Sequence, residues 1–468
     1  MKLLTKNLVS LSISDMGSRL IQLGAVAYLA QKLGSHSMGL LAIGFSVLSY
    51  TTIITNAGLP TLGTREIAKG EKDQSSLIKN IITSRFLLSL LTIVAAIWVL
   101  PYFLKDSGLK TIIIIYILFL LPHSFFLEWY FQGKNRMTIL AANRLIGSAI
   151  YFLFIVFIVK ATDQLKMVPI GWLIGGIIQA LIMGLYCFTS VKPIPYNGQP
   201  INSNWQLIKK GIPLGVANLI SQCVIQFPFI YLGFFDSVNS TGIYSIAYRI
   251  IVFLLIIDRV FYTIFFPLIS KNIKKSITDA SYHLDISLKV ISCIVLYFSA
   301  VCIILVPKLI PVVFGSEFQL SSQVLQYLMI YFVLSVINTI FTSALIASNN
   351  EKTYTWSLIG GVTGVFIFLA VPLHLSLLTA VPLSLGIFQA VSMIIMLLKL
   401  KKIFPVRIFR RFGLPLIAVF VIHTITYILQ LGNSILFLLG VILVLPFFLA
   451  FASGFNKKDL LFLKKQLV

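Results

Sequence analysis

Long apolar runs separated by short basic or Gly/Pro/Asn-rich breaks recur along the whole chain. They fall at about 8–29, 38–58, 78–100, 109–131, 138–160, 168–189, 207–232, 243–266, 284–307, 324–346, 353–371, 378–398, 412–430 and 433–452. Each approaches the roughly 20 apolar residues that a helix needs to cross a hydrocarbon layer about 30 Å thick. The pattern predicts an all-α polytopic membrane protein with about 14 transmembrane helices. Two breaks are short: the VPLHLS stretch after Ala370, and the turn at Leu431, Gly432 and Asn433 that makes the last two runs a hairpin.

Charge supports the same count. With the N-terminus inside, 25 basic residues fall in or beside the inner segments, from Lys2 and Lys6 to Lys464 and Lys465. The opposite side has six: Lys32, Lys105, Lys110, Lys160, Lys166 and Lys308. One miscounted helix would invert every later loop and destroy this sorting, so the positive-inside rule favours an even number of spans with both termini cytoplasmic. The first run reads as a retained span, because Asp15 and Arg19 interrupt it and no small-x-small cleavage signal follows.

Composition narrows the function classes. Of 468 residues, 58% are hydrophobic and 11% charged, and the mean hydropathy is +0.97. A soluble domain carries about 25% charged residues, so a large soluble catalytic domain is excluded. The formal charge of +23 is met by anionic phospholipids and calls for no nucleic-acid partner. Cys187, Cys223, Cys293 and Cys302 sit within apolar runs without a CxxC and read as packing residues. His36, His123, His283, His374 and His423 form no metal motif, and no nucleotide-binding fingerprint is present. The sequence therefore predicts no enzyme, metal or cofactor.

The informative residues are the polar ones inside the spans. Asp15, Arg19 and Gln22 stand at i, i+4 and i+7 on one helix face. Arg19 lies about 16 Å into its span, where facing lipid is costly. Its face lines either a polar cavity or a structural ion-pair network. In the seventh span Asn218, Gln222 and Gln226 repeat the face in neutral form, with Ser221 beside them. The eighth adds Arg249, Asp258 and Arg259. For a cavity role Arg19 ranks first and Arg249 and Arg259 next. Arg85 and Arg144, about 9 to 10 Å from their span ends, read primarily as snorkelling residues. Arginines suit a phosphate-bearing or otherwise anionic substrate, while Asp15 or Asp258 suits coupling to protons or sodium.

An offset of 203 carries Asp15 and Arg19 onto Asn218 and Gln222, and GLLAIGF from Gly39 onto GIYSIAY from Gly242. This suggests two pseudo-symmetric six-helix bundles related by an axis along the membrane normal. The expected organisation is a first bundle over 1–190, a linker over 191–206, a second bundle over 207–400, and a basic linker, last two helices and tail over 401–468.

Four segments carry a family resemblance: TREIA at Thr64 to Ala68, EWYFQG at Glu128 to Gly133 followed by KNRM, GIYSIAYR at Gly242 to Arg249, and ALIASNNEKTY at Ala344 to Tyr354. With the alternating spans, they resemble the polysaccharide biosynthesis transporters of the multidrug/oligosaccharidyl-lipid/polysaccharide exporter superfamily, especially bacterial Wzx-type O-antigen or capsule-repeat flippases. Physically, WYFQG reads as an interfacial aromatic cluster ending in a flexible Gly, and Arg65–Glu66 as a local charge pair. The chain departs from many relatives after Trp356, which bears on the sugar. The resemblance implies alternating-access movement of an undecaprenyl-pyrophosphate-linked oligosaccharide from the cytoplasmic to the outer leaflet of the bacterial inner membrane. A polysaccharide polymerase and glycosyltransferases are the implied partners. A non-transporting assembly factor and an ion-coupled drug exporter are the alternatives.

Overall fold

The computed structural model describes residues 2–70, 74–104, 106–190, 204–273, 276–372, 374–404, 409–417, 435–454 and 459, and every regular element among them is helical. Helices are what such a sequence must form, since hydrocarbon offers the backbone no hydrogen-bond partners. In chain order they are α1 (Lys2–Asn56), α2 (Leu59–Lys69), α3 (Gln74–Phe103), α4 (Ser107–Leu118), α5 (Leu120–Ser124), α6 (Glu128–Gly133), α7 (Met137–Ile158) and α8 (Met167–Ser190). There follow α9 (Asn204–Phe235), α10 (Val238–Leu254), α11 (Ile256–Ile273), α12 (Ile277–Phe314), α13 (Gln319–Ala347), α14 (Glu351–Ala370), α15 (Leu377–Leu400) and α16 (Ile435–Ser453). Among the described residues, ten helices are long and apolar enough to cross a membrane. The protein is a multi-pass membrane protein.

The helices overlie the apolar runs, with local departures. The first two expected spans share α1, bent at Gly34, whose φ of 73° is readily reached by glycine. Ser35, which restarts the helix, donates its N–H to Glu317 Oε2 at 3.0 Å, a carboxylate at a helix N-terminus. The expected run 109–131 breaks into α4, α5 and α6, and the run 243–266 is interrupted at Leu255 between α10 and α11. Most of the expected span 412–430, the turn at Leu431, Gly432 and Asn433 and most of the linker 191–206 lie outside the described residues.

Contacts divide the chain into two compact units, Met1–Ile246 with Val313–Glu317, and Ala247–Val312 with Phe318–Val468. The division falls within α10 rather than at the 191–206 segment expected from the sequence. The reason is that α9 packs on α1 and α2: Tyr50 Oη donates to the Cys223 carbonyl at 3.1 Å, and Gly211 lies against the Ala57 carbonyl.

Lipid tails are as apolar as leucine, so close packing and polar contacts must hold the spans together. In the first unit, Gly17 and Gly24 admit Leu145 and Phe152 of α7, and Gly147 admits the Gln179 side chain of α8. The closest approach to backbone is a reciprocal pair: a Cβ on Gly39 would overlap the Val238 carbonyl, and one on Gly242 the Ser35 carbonyl. The two glycines differ by 203 in number, and so do the two residues they meet, Ser35 and Val238, which is the offset read from the sequence. A backbone carbonyl cannot swing aside as a side chain can. Gly39→Ala and Gly242→Ala are each expected to destabilise the protein by about 1–3 kcal/mol, the usual cost of overpacking. Thermal melting of detergent-solubilised protein checks this, and unchanged midpoints would show that the helices part freely.

In the second unit α13 packs on α11 and α15, and Asn338 Nδ2 donates to Gln389 Oε1 at 2.7 Å and to its carbonyl at 2.9 Å. A buried ion network lies on α12. Lys289 Nζ bonds Asp459 Oδ2 at 2.6 Å and lies 3.5 Å from Asp285 Oδ2, while Arg411 Nε donates to Asp285 Oδ1 at 2.8 Å.

Candidate functional site

Three sequence-selected residues meet in the first unit. Arg19 Nε donates to Asp15 Oδ2 at 3.2 Å, joining one turn of α1. Asp15 Oδ1 lies 3.7 Å from an Arg144 guanidinium nitrogen on α7. Arg144 then grips Glu128 at the start of α6 with two donors, Nη2 to Oε2 at 2.6 Å and Nε to Oε1 at 3.2 Å. One turn along α1, Gln22 Nε2 donates to Ser148 Oγ at 3.2 Å, so the polar stripe of α1 faces that of α7. The row Arg19–Asp15–Arg144–Glu128 alternates in sign and is neutral as a whole, which makes its presence in an apolar layer tolerable.

Beyond Glu128 lies a cavity of about 450 Å³ lined by residues of α1, α2, α3, α5 and α6, including Asn56, Thr64, Arg65, Arg85, His123 and Trp129. Its wall depends on Arg85. This side chain is buried, with Nη1 donating to the Phe126 carbonyl at 3.0 Å and Nη2 to the His123 carbonyl at 2.6 Å. The Phe126 carbonyl is freed where α5 ends inside an apolar run and the guanidinium satisfies it, while the His123 carbonyl, which accepts the Phe126 N–H at 3.0 Å, gains a second donor. Phe126 and Glu128 consequently face the polar cavity, while Phe125 and Leu127 line a neighbouring apolar one.

The snorkelling expected of Arg85 and Arg144 is thus corrected: one holds broken-helix carbonyls and the other holds two carboxylates. WYFQG differs from its interfacial reading as well. Trp129, Tyr130 and Phe131 are buried in a core with Leu59, Leu62, Leu77 and Ile81, and Gly133 is needed because a Cβ would press on Ile67 and the Thr64 carbonyl. Glu66 pairs with Lys69 at 3.7 Å.

The remaining candidates are distributed between the units. On α9, Gln226 Oε1 lies 3.1 Å from Ser46 Oγ and Gln222 is half-buried, while the Asn218 and Ser221 side chains fall outside the described set. Arg249, Asp258 and Arg259 belong to the second unit. Asp258 is hydrogen-bonded to the Thr339 hydroxyl and has one buried oxygen, Oδ1, without a hydrogen-bond partner; Arg259 is exposed.

The sequence matches the polysaccharide biosynthesis protein family over residues 4–273, more than half of the chain and the whole stretch that builds this site. The chain belongs to that family. Solved structures with similar folds include the lipid II flippase MurJ in an inward closed conformation, at a TM-score of 0.74 and 17% identity, covering 97% of this chain and 100% of that one. A multidrug resistance MATE family transporter of the MOP superfamily, in an inward-facing conformation, aligns with TM-score 0.64 and 16% identity over 85% of this chain and 98% of that one. The eukaryotic MATE transporter AtDTX14 aligns with TM-score 0.57 and 14% identity over 85% and 96%. At these identities the likeness establishes a shared fold. No curated protein matches the chain.

Sequence reasoning passed over Glu128 and His123 in this family member. The signal for Glu128 was available: it is one of only 14 acidic residues and stands at the edge of an apolar run.

Proposed function

We propose that the protein is a flippase that carries a diphosphate-linked, polyprenyl-anchored oligosaccharide repeat between the leaflets of a bacterial cytoplasmic membrane by alternating access, for O-antigen, capsule or related polysaccharide synthesis. The observation that carries this reading is the charge row Arg19–Asp15–Arg144–Glu128, set beside a cavity that also holds Arg65 and Arg85. Guanidinium groups bind a diphosphate through paired, charge-assisted hydrogen bonds, and the Arg19 guanidinium, paired with Asp15, is 21% exposed. Gln22, Gln222 and Gln226 offer amides for sugar hydroxyls. Burying those hydroxyls and phosphates without polar partners would be prohibitive, so the path must be polar while the lipid tail stays in hydrocarbon. No covalent bond is made or broken.

Family membership and the fold shared with MurJ support a lipid-linked cargo. In this proposal both termini are cytoplasmic, as the 25-to-6 sorting of basic residues favours. Asp258 is the better candidate for coupling to protons or sodium, because Asp15 already faces two arginines while Asp258 Oδ1 is unpartnered.

The deciding experiment reconstitutes purified protein into vesicles with a labelled polyprenyl-diphosphate oligosaccharide and measures its movement between leaflets. Arg19→Ala is expected to slow transport by about tenfold, the effect of losing roughly 1.4 kcal/mol, at unchanged membrane abundance. Unchanged transport removes Arg19 from the substrate path, and reduced abundance assigns it to the structural ion-pair role. If folded wild-type protein moves no lipid while cells still need it to assemble the polymer, the non-transporting assembly role is correct. Preferential movement of uncharged or cationic drugs identifies an exporter instead.

A further inference from the structure

The cavity beside Glu128 has more unmet donors than its own residues can satisfy. Arg85 is 2% exposed and forms no ion pair among the described residues. Of its five N–H donors, two go to backbone carbonyls and a third lies against His123 Nδ1 at 3.2 Å, leaving two. The carboxylate that shares the cavity, Glu128, has both oxygens bonded to Arg144. Trp129, also 2% exposed, lines the cavity with its indole Nε1 unpartnered, and so does Asn56 with its amide Oδ1. Arg65 adds a second guanidinium from the exposed side of α2.

Water filling this space would satisfy the indole and the amide but leave the buried guanidinium to share the Glu128 carboxylate, whose two oxygens are already bonded to Arg144. An anion rich in acceptors answers Arg85, Arg65 and Trp129 together, and a hydroxyl on the same molecule answers Asn56. We propose that this cavity is a binding site for a phosphate ester carrying a neighbouring hydroxyl, held by Arg65, Arg85, Trp129 and Asn56 and separate from the Arg19–Asp15 pair. Two sources share that chemistry: the headgroup of an anionic glycerophospholipid such as phosphatidylglycerol, and the sugar-phosphate end of a polyprenyl-linked saccharide. The site lies among the Arg65, Lys69, Lys134 and Arg136 group of basic residues, the side on which anionic headgroups gather.

The test is native mass spectrometry of the delipidated full-length protein titrated with phosphatidylglycerol, phosphatidylcholine or a short-chain polyprenyl-diphosphate N-acetylglucosamine. The wild type is expected to retain one phosphatidylglycerol or one polyprenyl saccharide at least about tenfold more tightly than phosphatidylcholine. Arg65→Gln and Asn56→Leu, at positions that are not fully buried, are each expected to weaken retention by about fivefold or more without lowering the melting temperature, and Arg85→Gln to abolish it. Selective retention of phosphatidylglycerol identifies a structural or regulatory lipid, and selective retention of the saccharide identifies a cargo-docking site; either supports the phosphate site. Equal retention of all three lipids, or variants that bind like the wild type, overturns it. Because binding is read without transport, failure here leaves the flippase reading to its own vesicle assay.

Discussion

Replacing Lys289 with Met is expected to leave little folded protein in the membrane. The Lys289 side chain is 3% exposed and that of Asp459, 2.6 Å away, is 1% exposed, so water screens neither charge. Removing one partner of such a pair strands the other, at a cost of about 3–5 kcal/mol. That is comparable with the whole stability of many domains. The damage extends further, because Lys289 also neutralises Asp285, which holds Arg411, whose Nη1 donates to the Ser453 carbonyl at 2.8 Å near the end of α16. Adding Asp459→Leu to Lys289→Met deletes both charges and leaves Asp285 with Arg411, so the double variant should regain most of the lost melting temperature. The readouts are membrane abundance and thermal melting in detergent. A Lys289→Met protein as stable as its parent would show that Asp459 is not held as described.

Arg144→Met is expected to produce the largest loss of transport, about ten- to a hundredfold, with a smaller loss of stability. The three charged side chains are partly exposed, Arg144 at 30%, Glu128 at 27% and Asp15 at 12%, so screening limits the stability cost to about 1 kcal/mol. Function should suffer more, because charge-assisted hydrogen bonds worth roughly 1.5–3 kcal/mol fix Glu128 at the cavity mouth and keep Asp15 from answering Arg19 alone. The exchanged pair, Arg144→Glu with Glu128→Arg, separates the roles. Recovery of folding and transport together assigns Arg144 to positioning Glu128. Folding without transport means that the cation itself is required at its place on α7. Vesicle transport equal to wild type in Arg144→Met would remove the row from the mechanism.

Much of the architecture was legible because a membrane allows few solutions. Apolar runs of fixed length must be helices, and the kink at Gly34 falls in the QKLGSHS break that already separated two runs. The site was legible in part. Asp15 and Arg19 are four residues apart on one helix and pair in the structure as that spacing requires. The same rule applies to Asp285 and Lys289, also four apart at the start of a run and paired in the structure at 3.5 Å, which the sequence reading did not single out. Arg85 and Arg144 were misjudged because distance from a span end says how far a side chain can reach toward water, but not whether a carbonyl or carboxylate is nearer.

By itself the sequence determined an all-helical membrane chain, the places of its apolar runs, the sorting of its basic loops and a short roster of intramembrane charges, because each follows from the cost of putting backbone or charge into hydrocarbon. The tertiary structure alone decided which charges meet. Glu128 reaches Arg144 because the run 109–131 breaks after Ser124, and Arg85, about forty residues earlier, holds that break by satisfying the Phe126 carbonyl and adding a donor to that of His123. The reciprocal contacts of Gly39 and Gly242 likewise depend on helices far apart in sequence approaching until backbone touches backbone. Pairing across such distances is set by which faces pack, and a one-dimensional pattern of polar and apolar positions does not contain it.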